Sequence, residues 1–86
     1  MFYVYIIESV TTSKWYYGFT ERSPDQRLIE HNGNHQHFTA NEGPWKLIFV
    51  RAFENKKDAL SFEKKLKSFR NKQFIASEFS EYFLNL

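Results

Sequence analysis

The sequence contains no cysteine. Disulfides, thiolate zinc sites, iron–sulfur clusters and a cysteine nucleophile are thereby excluded. Glycine occurs only three times, and the chain holds neither a P-loop, a G-x-G-x-x-G turn nor a G-x-S-x-G elbow. Long hydrophobic runs are also missing. The first one breaks at Glu8, far short of a signal peptide or membrane span, so a soluble, cytoplasmic protein with no membrane partner is expected. With 86 residues and no repeat, low-complexity segment or linker, one domain over 1–86 with a single modest core is expected.

Aromatic residues are abundant: ten Phe, five Tyr and two Trp. Each buries a large apolar area, which helps a short chain form a core. Phe2–Glu8 and Trp15–Phe19 are short, β-branched or aromatic runs joined by a polar Ser/Thr/Lys connection, the pattern of a β-hairpin. Tyr3, Tyr5, Tyr16 and Tyr17 fall on its two strands, so at least two phenols share a face.

Ser23, Pro24 and Gln26 form a capping-box start for a helix running to about Asn32, with Gly33 as its stop. Arg27 and His31 lie one turn apart on it. The Gly- and Asn-rich stretch from Gly33 to Pro44 reads as a long surface loop. Trp45–Phe53 is the third strand, and its nearly unbroken apolar run suggests a central or doubly covered position. Asn55 caps a second helix whose buried stripe is Ala59, Phe62, Leu66 and Phe69, with Leu60 at the margin and Glu63 on the flank. The tail from Asn71 to Leu86 fits one or two short helices closing the core. The expected fold is α+β, a small three-stranded antiparallel sheet flanked by helices in the order β-β-α-β-α-α.

The net charge of +2 is unevenly spread. Most of the lysine and arginine lies between Lys46 and Lys72, opposed there only by Glu54, Asp58 and Glu63. Such a stripe suits a phosphate backbone, with Lys56, Lys64, Lys67, Arg70 and Lys72 as the candidate nucleic-acid contacts. A solvated helix face accounts for the same charge equally well.

The hairpin phenols, Arg27, His31 and Glu63 together supply the parts for phosphodiester hydrolysis. A guanidinium holds a phosphate bidentately. A carboxylate holds a hard divalent cation, which neutralises developing charge. A phenol or imidazole takes the proton of an attacking water. A competing cluster, His31, Asn34, His35 and His37, has zinc-like spacing. It sits mostly in a loop, and exposed loop histidines are the preferred reading.

In this arrangement the chain resembles the GIY-YIG nuclease superfamily, in its short single-domain bacterial form similar to the N-terminal domain of an excinuclease. Tyr3-Val4-Tyr5 stands at the first motif and Tyr16-Tyr17-Gly18 at the second, at a typical interval. Arg27 and His31 match the R-x-x-x-H helix, and Glu63 matches the metal-binding glutamate. Gly43–Phe49 resembles the third-strand entry of short members. Tyr3 replaces the Gly of the first motif. Tyr17 replaces the Ile or Val of the second and is expected to face the core. Asn71 is a candidate for the late asparagine of some relatives.

The resemblance implies a DNA endonuclease, in a DNA-repair context, using one Mg²⁺ or Mn²⁺ held by Glu63. Tyr5 and Tyr16 would line the site, and Arg27 would stabilise the scissile phosphate. Tyr16 or His31 would be the general base. Intrinsic sequence specificity is expected to be low, with a protein partner for targeting, and the chain a monomer or weak homodimer. The alternatives are a non-catalytic nucleic-acid-binding or interaction domain on the same scaffold, and a structural dimerisation domain.

Overall fold

The computed structural model describes residues 1–33 and 43–84, so most of the loop expected before Trp45, with His35 and His37, lies outside the described residues. Strands β1 (Phe2–Ser9) and β2 (Trp15–Thr20) form the hairpin, with Tyr5 opposite Gly18 and Ile7 opposite Tyr16. Its connection is tied by short polar side chains: Ser9 Oγ accepts from the amides of Thr11 and Thr12 at 3.2 and 3.1 Å. Ser13 takes the left-handed conformation, φ 64°, that lets the chain turn back.

Helix α1 (Pro24–Gly33) starts at the expected serine, whose hydroxyl accepts from the amide of Asp25 at 3.2 Å. It runs through Gly33, which keeps a negative φ and so makes no left-handed stop. Strand β3 (Trp45–Phe53) then pairs antiparallel with β1, giving the order β2-β1-β3. Helix α2 (Lys56–Ser68) is capped by Asn55, which accepts from the amide of Asp58 at 2.8 Å. Helix α3 (Lys72–Glu78) and a 3-10 turn over Ser80–Tyr82 complete the α+β fold. Among the described residues no helix is long and apolar enough to cross a membrane.

Alternation along the strands sorts side chains onto two faces. Val4 and Ile6 meet Ala59, Phe62 and Leu66 of α2 and Ile75 of α3 in the main core, with Trp15, Tyr17 and Phe19 packed against it. Phe69, expected in the same stripe, caps α2 and is half-buried. On the opposite face Tyr5, Ile7 and Trp45 form a smaller cluster with Tyr16, Leu28 and Leu47, covered by α1.

Strand β1 is the central one, so of the two positions expected for β3 it takes the doubly covered one, with α1 on one face and α2 on the other. The register shifts between Ile6 and Ile7, which face Phe49 and Leu47, so Ile48 is an extra residue in a β-bulge. The bulge sends both Ile48 and Phe49 into the main core, while Trp45 and Leu47 pack under α1. The outer edge of β3 is closed by the tail: Phe83 bridges to Phe49, and Leu84 N donates to Ile48 O at 2.9 Å.

Candidate functional site

The site begins with a close approach inside the hairpin. The Tyr5 ring lies across Gly18 of the neighbouring strand, where a β-carbon would fall 2.6 Å from Tyr5 Cε1 and closer still to Cζ and the hydroxyl. Only glycine leaves room for the phenol to cross β2. The ring is 1% exposed, and its hydroxyl shares a hydrogen bond of 3.0 Å with Nε2 of His31, itself 2% exposed. Tyr16 packs its ring against the same imidazole, with centroids 4.8 Å apart, and stays half-buried.

Arg27, one turn before His31 on α1, brings its guanidinium within hydrogen-bonding reach of the Tyr5 hydroxyl. Burial raises the Tyr5 pKa above the ordinary phenol value. Arg27 pulls against that rise, while Tyr16 and Glu63 add to it through their charge.

Glu63 lies on a different element, α2. Its partly buried carboxylate pairs with Lys67 one turn on, at 3.5 Å. Its oxygens are hard donors of the kind Mg²⁺ or Mn²⁺ takes. Among the described residues no three His, Cys, Asp or Glu side chains gather as a metal cluster. One carboxylate would leave the rest of an ion's coordination to water and phosphate oxygens. His31, the described histidine of the alternative zinc cluster, is committed to Tyr5.

The candidate nucleic-acid contacts are dispersed. Lys56 pairs with Glu21 at 3.4 Å, and Lys67 with Glu63. Lys72 donates to the carbonyl of Ser13 at 2.6 Å and lies over the Trp15 ring. Lys64 and Arg70 are exposed and make no ion pair among the described residues. Asn71 is the N-cap of α3, accepting from Phe74 N at 3.0 Å.

Three residues with no role assigned from the sequence support the site. Gly18 admits the Tyr5 ring. Glu30 holds the Arg27 guanidinium, and Arg22 reaches the same carboxylate at 3.0 Å. Asn32 clamps the end of α1 to β3, accepting from Trp45 N at 2.7 Å and donating to Trp45 O at 3.0 Å. The i,i+3 spacing of Arg27 and Glu30 was the one legible signal among these.

A tyrosine hairpin with an Arg/His helix pressed onto it is the framework of the GIY-YIG nuclease superfamily. Residues 1–76 match the GIY-YIG catalytic domain, and the chain belongs to that family. It is similar to the UPF0213 protein BH0048 of Halalkalibacterium halodurans, at 36% identity over 87% of this chain and 81% of that protein. A second UPF0213 protein, CPE1444 of Clostridium perfringens, is 36% identical over 91% of this chain and 86% of its own length. The solution NMR structure of the UPF0213 protein BH0048 from Bacillus halodurans superposes with a TM-score of 0.56 at 30% identity, covering 93% of this chain and 84% of that one.

Proposed function

We propose that the protein is a divalent-metal-dependent endonuclease that hydrolyses phosphodiester bonds in DNA with low intrinsic sequence specificity. The observation that carries the reading is the meeting of Tyr5, Tyr16, Arg27 and His31 at one place on the sheet. Arg27 binds the scissile phosphate through its planar fork. Tyr16 Oη orients the attacking water, a role supported by its half-exposed side chain against the buried His31. His31 is the proton acceptor beside that phenol, and Tyr5 fixes its ring through Nε2. Glu63 holds one Mg²⁺ or Mn²⁺, which when bound neutralises charge on the phosphate oxygens. A partner protein supplies targeting, since sequence is read through base contacts that a bare catalytic domain makes few of.

Nicking of supercoiled plasmid or branched DNA tests this. Wild-type protein is expected to cut with Mg²⁺ or Mn²⁺, and Arg27→Ala and Glu63→Ala to lose at least about a hundredfold in rate. Absence of cleavage by wild type at high enzyme concentration on every DNA tried would sink the proposal.

A second reading, nucleic-acid binding without cleavage, draws on the Glu63–Lys67 ion pair, which already engages the metal-binding carboxylate. Affinity falling steeply with salt, with no turnover in either metal, would favour it.

A further inference from the structure

Glu30 sits in the position a substrate anion would need. Its carboxylate binds the Arg27 guanidinium, the group that reaches the Tyr5 hydroxyl. From the other side Arg22 holds both of its oxygens, at 3.1 and 3.0 Å. Burial opposes ionisation of Glu30, but Arg22 and then Arg27 hold its carboxyl below the usual carboxylate range. A permanent anion thus occupies the phosphate-binding arginine of the free protein.

Carboxylate and phosphate use the same fork of a guanidinium. A DNA phosphate arriving at Arg27 meets a like charge already in place, and like charges at contact repel. The two arginines differ in a way that resolves the conflict. The Arg27 side chain is 23% exposed, whereas that of Arg22 is 61% exposed, beyond the end of β2 and free to follow Glu30 outward.

We infer that Glu30 is an internal counter-anion, held by Arg27 in the free protein and handed to Arg22 when a DNA phosphate takes its place. The inference rests on the nuclease reading for the identity of the incoming anion. Glu30 is a positioning residue: it keeps the Arg27 fork oriented, and it lowers the affinity of the site for phosphate in general. Loosely held anions are rejected, and only a phosphate supported by further contacts displaces it.

Binding of a short DNA duplex in EDTA, measured by fluorescence anisotropy across a salt series, tests this apart from catalysis. Glu30→Gln is expected to bind roughly three- to tenfold tighter than wild type, since removing one contact charge is worth up to about one power of ten. Its slope of log affinity against log salt should stay close to that of wild type, since a phosphate takes Arg27 in both complexes. Glu30→Asp should restore wild-type binding, and the gain should vanish in an Arg27→Ala background. Thermal melts of each variant control for folding. Unchanged or weaker binding by Glu30→Gln overturns this inference alone, as does a gain that persists without Arg27. Failure of both wild type and Glu30→Gln to bind the duplex overturns it together with the nuclease reading.

Discussion

At the scale of single residues, the Tyr5 phenol carries more constraints than any other group in the site. It is fully buried, it crosses a strand at Gly18, and it meets Arg27 and His31 at one oxygen. Tyr5→Phe keeps the ring and its packing but removes the hydrogen bond to a buried imidazole. The expected loss is about 1–3 kcal/mol, the range for an orphaned buried polar atom. The same phenol sets an alkaline limit. Burial raises the pKa of both Tyr5 and Tyr17, so the native state holds protons that the unfolded chain releases. Their stabilisation is complete below about pH 10, the unfolded phenol value, and is lost as pH rises through the higher native values. Melting temperatures between pH 8 and 11 are expected to fall more steeply for wild type than for Tyr5→Phe. Equal slopes would mean that Tyr5 is not held neutral by its surroundings.

At the scale of elements, the junction of α1 and β3 decides where His31 sits. Asn32 meets the backbone of Trp45 as a neighbouring strand would, with one donor and one acceptor. Asn32→Ala removes both bonds, at an expected cost of about 1–3 kcal/mol. Amide exchange at Trp45 should accelerate, and plasmid nicking should slow through the displaced imidazole of the adjacent residue. Protection at Trp45 unchanged in the variant would show that the clamp is dispensable.

Element types and order were legible because each carried its own local signal. Runs of β-branched and aromatic residues marked the strands, Ser23 and Asn55 marked the helix starts, and spacing marked the buried face of α2. The double cover of β3 was legible in its apolar run, but its edge position and its bulge were not, because neither alters the composition of the run. Arg27 and His31 could be placed on one face by their spacing. Asn32 could not, since its role depends on Trp45 in another segment, and the spacing of Glu30 showed its bond to Arg27 but not the one to Arg22. Composition does not separate Tyr5 from Tyr17, but the motif resemblance did, and the register puts Tyr17 against the main core and Tyr5 in the other cluster.

At the scale of the whole molecule, formal charge overstates what a polyanion would meet. Arg51 contributes to the basic stretch, yet its guanidinium is enclosed by Phe53, Phe62 and Tyr82, each within 4.8 Å of the ring centre. That arrangement ties β3, α2 and the tail together through cation–π contacts worth about 0.5–2 kcal/mol each. Lys72 is likewise spent on the hairpin turn. Lys64 and Arg70 remain outside such contacts among the described residues. Arg51→Ala is therefore expected to lower the melting temperature by several degrees, with little change in the salt slope of DNA binding. The double change Lys64→Glu and Arg70→Glu is expected to do the reverse, weakening binding and leaving the melt almost intact. Parallel melts and salt titrations of the two variants separate structural charge from presented charge.

The bulge at Ile48 changes how β3 is shared between the two interiors. In an unbroken strand Trp45, Leu47, Phe49, Arg51 and Phe53 would all address one side of the sheet. The extra residue resets the phase, so Trp45 and Leu47 join the smaller hydrophobic cluster under α1, and Phe49, Arg51 and Phe53 turn to the main core. One continuous segment thus serves as two short ones, joined at a switch. A change at Trp45 or Leu47 therefore acts on the packing under α1, and a change at Phe49 or Phe53 on the main core.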